Sequence, residues 1–148
     1  MKNTQPSADI TNKVAVAMLI DKNGNLVMQR KDAWAPISPN MLAFFGGHIE
    51  EGEDPLNTLL RELDEETSLD IKGLKPEFIF EQVVENKDNK IRPVATFFLY
   101  KVVVEDDNFE VYEGAGAETY SLNELVKRND IGYSINKLVK RVVKEKWL

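Results

Sequence analysis

The sequence predicts an α+β domain in which a mixed β-sheet is held between helices as an α/β/α sandwich. Three observations point there. Apolar stretches with strand character come in pairs separated by polar turns, one central segment switches to helical spacing, and an amphipathic segment closes the chain. With 148 residues, 43% of them hydrophobic, the chain suits one core and a single domain, expected over residues 13–148 behind a loose polar tail at 1–12.

Val14 to Ile20 is a continuous apolar run ended by Asp21-Lys-Asn-Gly24-Asn, and Leu26 to Arg30 follows, which reads as a hairpin. Trp34 to Asn40 carries Pro36 and Pro39 and reads as loop. Met41 to Phe45 then runs apolar into Gly46 and Gly47, a pair that lets the backbone turn tightly. From Pro55 the period changes. Leu56, Leu59, Leu60 and Leu63 recur at helical spacing, with proline in the first turn, and predict a helix from Pro55 to Thr67. Phe78 to Val84 and Val94 to Val104, separated by the polar turn Glu85 to Lys90, predict a second antiparallel pair. Glu118 to Tyr120 is a short extended run, and Ser121-Leu-Asn-Glu124 matches a capping box. Ile135, Leu138, Val139, Val142 and Val143 mark a final amphipathic helix.

Composition excludes several classes of function. Zero cysteines rule out disulfide scaffolds and thiolate zinc sites, and a single histidine, His48, rules out poly-histidine metal centres. Any metal must be held by oxygen. The formal charge of -6 is the wrong sign for unaided binding to a nucleic-acid backbone, so an anionic substrate needs a bridging cation. Lys137, Lys140, Arg141, Lys144 and Lys146 make the last helix basic, which against that net charge reads as a solvated face, with Trp147 anchoring the chain end. The polar first residues lack the apolar core of a secretory signal, and no apolar run approaches the ~20 residues of a membrane-spanning helix. The expectation is a cytoplasmic protein that binds neither membrane nor nucleic acid.

On the central helix, at about 100° per residue, the leucine stripe adjoins an arc bearing Glu62, Glu65 and Glu66. Like charges three and four residues apart repel, and a divalent cation resolves that repulsion. Carboxylates without nitrogen or sulfur partners suit Mg²⁺ or Mn²⁺, and Mg²⁺ often completes its octahedron with phosphate oxygens. An acidic helix face is also commonly just solvated, so the preceding loop matters. It has the two-glycine spacing of a P-loop, Gly47 and Gly52, yet Glu53 stands where lysine is required, and a P-loop is rejected.

Gly47, Glu53, Arg61, Glu62, Leu63, Glu65, Glu66 and Leu69 match the Nudix box, G-x5-E-x7-R-E-U-x-E-E-x-G-U with U a bulky aliphatic residue. The chain resembles the Nudix family on those residues, and loosely along most of Lys13 to Leu148. One position departs: Ser68 replaces the box glycine. In the left-handed helix exit that glycine favours, serine would cost about 1 kcal/mol.

The resemblance implies a Nudix fold and hydrolysis of a nucleoside diphosphate linked to another moiety, by water attack at phosphorus with Mg²⁺, for which Mn²⁺ may substitute. It implies metal ligation by Glu62, Glu65 and Glu66 and by the Gly46 carbonyl, with Arg61 orienting Glu53. Similar enzymes place the general base on the box helix or on a later loop, which makes Glu62 and Glu113 the two candidates. Glu113, in Tyr112-Glu-Gly-Ala-Gly116, is also a candidate metal ligand or a plain turn residue.

His48 occupies a free position of the box and reads as loop structure. Trp34 is a candidate for stacking on a nucleobase, or else core or loop cover. Arg30 is a candidate for a phosphate or base edge, or else a surface salt bridge. The substrate expectation is a nucleoside triphosphate or an oxidised nucleotide. Nucleotide sugars, ADP-ribose and dinucleoside polyphosphates stand as alternatives, as does a non-catalytic sensing module of the same fold. An apolar edge strand at Val94 to Val104 would allow a homodimer.

Overall fold

The computed structural model describes residues 12–90, 93–106 and 108–148. The expected tail lies outside them except for Asn12, whose carbonyl accepts the Thr96 amide at 2.8 Å. The strands are β1 (Lys13–Ile20), β2 (Leu26–Arg30), β3 (Leu42–Ala43), β4 (Phe45–His48), β5 (Glu77–Glu85), β6 (Val94–Val103) and β7 (Ala117–Tyr120). The helices are α1 (Pro55–Glu66), α2 (Leu122–Leu125) and α3 (Tyr133–Glu145), with a short 3₁₀ turn at Ile71–Gly73.

β1 is apolar from Val14 to Ile20 because both faces are covered. Alternate side chains separate: Val14, Val16 and Met18 join the core under α3, with Leu138, Val139 and Val142, while Ala15, Ala17 and Leu19 join the core under α1, with Leu59 and Leu63. Those two cores and the sheet between them are the layers of the expected sandwich. Leu59 and Leu63 are fully buried, each contributing about 1.5–3 kcal/mol through removal of apolar surface from water.

The mixed character of the sheet comes from β1 as well. One edge pairs parallel with β6 over the whole strand, from Lys13↔Thr96 to Ile20↔Val103. The other edge changes partner, from β4 at Val14 to Ala17 to β2 at Leu19 and Ile20, both antiparallel. The sheet therefore parts beside Met18, and β4 and β2 diverge as separate branches.

Two expectations are corrected. β6 is an interior strand between β1 and β5, in the order β3-β2-β1-β6-β5, so Val94 to Val104 cannot serve as a free edge. β5 is the edge there, and Arg141 of α3 blunts it by donating to the Glu81 carbonyl at 3.2 Å and lying 3.8 Å over the Phe80 ring. Arg141 thus leaves the solvated basic face to which its spacing assigns it.

Ser68 is the second. No left-handed residue ends α1: Thr67, the cap, is extended at φ -139, and Ser68 has no positive φ. The chain leaves the helix by pairing with residues 110–111. The Ser68 amide donates to the Glu110 carbonyl at 3.0 Å, and the Ser68 hydroxyl accepts the Glu110 amide at 2.7 Å. Serine supplies the acceptor that glycine lacks, and the expected strain is absent.

Among the described residues no helix is long and apolar enough to cross a membrane.

Candidate active site

α1 starts where its sequence says it should. Asp54 accepts the Asn57 amide at 2.8 Å, and Pro55 occupies the first turn, where a missing N–H costs nothing. The buried face of the helix differs from the leucine stripe. Thr58, Leu59, Leu63 and Glu66 are buried, Leu60 is half-buried and Leu56 is exposed. The helix is rotated towards its carboxylates, so Glu66 shares the packed face with Leu59 and Leu63 and is only 4% exposed.

A buried carboxylate needs a partner. Glu66 accepts the Gly46 amide at 3.1 Å. Glycine is required there: Gly46 has φ +144, and a Cβ would overlap the Ala15 carbonyl of the neighbouring strand. At Gly47 a Cβ would overlap the Glu62 carboxylate itself. The glycine pair acts less as a turn than as a floor that lets α1 bring two glutamates against β4.

Arg61 organises the loop before the helix. Its Nε and one terminal nitrogen grip Glu53 in a fork, at 2.8 and 3.0 Å, and the guanidinium also reaches the His48 carbonyl at 3.4 Å and Glu65 at 3.3 Å. Glu53 further accepts the Thr58 hydroxyl at 2.9 Å and the Glu50 amide at 3.0 Å. The Arg61 hydrogen bonds hold the Glu53 carboxyl at about 2, so it stays charged.

Glu113 comes to the same place from the far end of the sequence. The Tyr112 amide donates to the Glu66 carbonyl at 2.7 Å, and the Ala115 amide donates to the Arg30 carbonyl at 2.8 Å. Gly114 lies between them with φ +69, and a Cβ on it would overlap that Arg30 carbonyl. Burial pushes Glu66 up to about 8, and the charges of Glu62 and Glu113 push the same way. Glu62 is also raised, chiefly by burial, with Glu65 and Glu113 adding to the effect against Arg61.

Among the described residues no three acidic or histidine side chains stand close enough to hold an ion as they are, and Glu65, half-exposed, is drawn towards Arg61. The donor set is nonetheless all oxygen. The mutual repulsion of its carboxylates, which adds to burial in raising Glu62 and Glu66, is what a divalent cation relieves.

A cavity of about 570 Å³ opens beside this cluster. Val14 and Val16 of β1, Gly46 and His48 of β4 and Gln29 of β2 all line it, so it draws on both branches of the parted sheet. Glu66 and Glu113 stand on its wall, Phe44, Phe97 and Ile135 make it apolar, and Trp34 sits at the rim with 89% of its surface exposed.

The family model of the NUDIX domain matches residues 11–142. The chain belongs to the Nudix family. Solved structures agree at the level of fold. A MutT protein from Methanosarcina mazei Go1 is similar at TM-score 0.76 and 16% identity, over 91% of this chain and 94% of that one. The Nudix domain of NrtR from Shewanella oneidensis, in complex with ADP ribose, is similar at TM-score 0.72 and 14% identity, over 99% and 95%. The Ap4A hydrolase of C. elegans is similar at TM-score 0.66 and 16% identity, over 93% and 99%. A comparison with curated protein sequences gives no match. Members of this Nudix family generally use divalent metal ions, and with its box carboxylates retained this chain is a Nudix hydrolase.

The structure brings together Glu53, Arg61, Glu62, Glu66 and Glu113, and leaves Glu65 at the margin. Arg30 goes elsewhere. Its guanidinium meets Glu118 at 2.7 Å, Asp130 at 3.0 Å and the Asn40 carbonyl at 2.9 Å, the salt-bridge alternative for this residue. Core cover is excluded for Trp34 by its exposure. Gln29, Lys31 and Gly114 escape the sequence reading. The first two flank Arg30 at alternate positions, a signal that needs the orientation of β2 before it can be used.

Proposed function

We propose that the protein is a Mg²⁺-dependent pyrophosphohydrolase that cleaves the diphosphate linkage of a nucleoside diphosphate derivative, with a nucleoside triphosphate or oxidised nucleotide as the favoured substrate. The observation that carries this is the meeting of Glu66 and Glu113, from two distant segments, on the wall of one apolar cavity, with the charge of Glu62 felt by Glu66. Carboxylates alone repel a diphosphate, and an apolar cavity alone does not cut one.

Glu62, Glu65, Glu66 and the Gly46 carbonyl would hold the ion, with Glu113 as a further ligand or as the base that takes a proton from the attacking water. A divalent cation in such a set neutralises phosphate charge and lowers the pKa of a bound water. Arg61 keeps Glu53 ionised and the loop closed over the start of α1. The exposed Trp34 indole offers a flat face for a nucleobase at the cavity rim.

The test is product analysis with Mg²⁺ on canonical and oxidised nucleoside triphosphates, nucleotide sugars, ADP-ribose and Ap4A, with Glu66→Gln as control. Cleavage of one of them to a nucleoside monophosphate, lost in the variant, supports the reading and names the substrate group. Binding without products in the wild-type protein overturns it.

A further inference from the structure

Side chains alternate across a strand, so Gln29 and Lys31 project from one face at the end of β2 and Arg30 from the other. Arg30 is consumed by Glu118 and Asp130, and Arg61 by Glu53 and its neighbours. Lys31 is placed differently. It lines the cavity that Glu66 and Glu113 also line, and among the described lining residues it is the one lysine or arginine. It is half-buried, and among the described residues its ammonium makes no hydrogen bond or salt bridge.

Its position is fixed by the sheet, because the Lys31 amide donates to the Met41 carbonyl at 2.9 Å and continues the β2 to β3 ladder. Asp32, the nearest opposite charge in sequence, turns a carboxylate oxygen to the Trp34 amide at 2.9 Å. Burial pushes the Lys31 ammonium below the ordinary lysine range, against the pull of Asp32. On the same face, Gln29 is only 9% exposed, yet its carboxamide makes no hydrogen bond among the described residues. A cation and an amide on the wall of one cavity, with no hydrogen bond to a protein group among the described residues, favour a ligand that supplies anionic oxygens.

We propose that Lys31, with the Gln29 carboxamide beside it, binds the phosphate chain of the substrate. This rests on the cavity being a diphosphate site and names the residue that recognises that part of the ligand. The carboxylates of the cluster cannot do so, since they share the sign of the phosphate. An ammonium serves as a point charge for phosphate oxygens in any orientation, and a carboxamide adds a neutral donor.

The test is calorimetric binding of inorganic pyrophosphate with Mg²⁺ to the wild-type protein, Lys31→Met and Lys31→Arg, each first checked by thermal melting. The Met variant is expected to raise Kd about tenfold or more, as loss of a charge-assisted contact does, while Arg stays within about threefold. Should Lys31→Met not fold, Lys31→Gln carries the same comparison. Unchanged pyrophosphate affinity in the Met variant, equal losses in Met and Arg, or no pyrophosphate binding by the wild type each overturn the proposal. The hydrolase reading fails separately. Lys31-dependent pyrophosphate binding without hydrolysis of any nucleotide sinks that reading and leaves the Lys31 assignment standing.

Discussion

The backbone amide of Tyr112 donates to the carbonyl of Glu66 at 2.7 Å, joining the segment before Glu113 to the last residue of α1. With the Ala115 amide on the Arg30 carbonyl, this bond pins Glu113 from both sides. An acidic residue more than forty positions from the box is thereby part of one site by backbone geometry rather than by side-chain reach.

Gly114→Ala is expected to disturb that geometry. The added Cβ meets the Arg30 carbonyl at a positive φ, so the loop must shift and the protein should lose about 1–2 kcal/mol of stability. Turnover should fall to the level of Glu113→Gln. Thermal melting and steady-state kinetics read the two effects, and wild-type turnover in Gly114→Ala would show that the loop position is irrelevant.

Glu66→Gln is expected to keep the fold, because the amide can still accept from Gly46, and to lower turnover by ~10² or more. Mg²⁺ should raise the melting temperature of the wild-type protein and raise that of the variant less, since an ion bound only to the folded state stabilises it. Equal shifts in both would exclude Glu66 from the ion site.

For the general base, Glu62→Gln and Glu113→Gln are to be compared at saturating Mg²⁺. The base is the residue whose loss removes the acidic limb of the kcat profile as well as lowering kcat. Near-normal turnover in Glu113→Gln would leave Glu62 as the base.

Arg61→Lys is expected to lower kcat by about tenfold, because a single ammonium cannot reproduce the two-point grip on Glu53 while reaching His48 and Glu65. Kinetics of Arg61→Lys beside Glu53→Gln check this. If both residues act through that one pair, the double variant should be little worse than either single.

Acid sensitivity is expected from the network behind β2. Hydrogen bonds from Arg30, then from Tyr120, hold the Glu118 carboxyl at about 2, and Arg128 with Arg30 holds Asp130 well below its usual range. A carboxyl depressed in the folded state stabilises fully above its unfolded value of about 4.5 and loses that contribution as pH falls towards 2. The stability gap between the wild-type protein and Glu118→Gln should therefore shrink over that window in denaturant titrations. A gap independent of pH would mean that the Arg30 pair is not coupled to folding.

What the sequence by itself determines here is what depends on near neighbours. The Gly47 to Leu69 motif marks the Nudix family. The Asp54 cap, Pro55 and the leucine spacing place α1, and Ser121 and Glu124 close a capping box, with 3.1 and 2.8 Å bonds. These are contacts between residues a few positions apart, whose geometry follows from helix period and turn rules. The edge position of β5, the inward rotation of Glu66, the approach of Glu113 and the placing of Lys31 rather than Arg30 on the cavity wall are decided only by the tertiary structure. Each depends on which strand lies beside which, and on the face a strand turns inward. A one-residue change of register reverses that face while leaving the local pattern of the sequence intact.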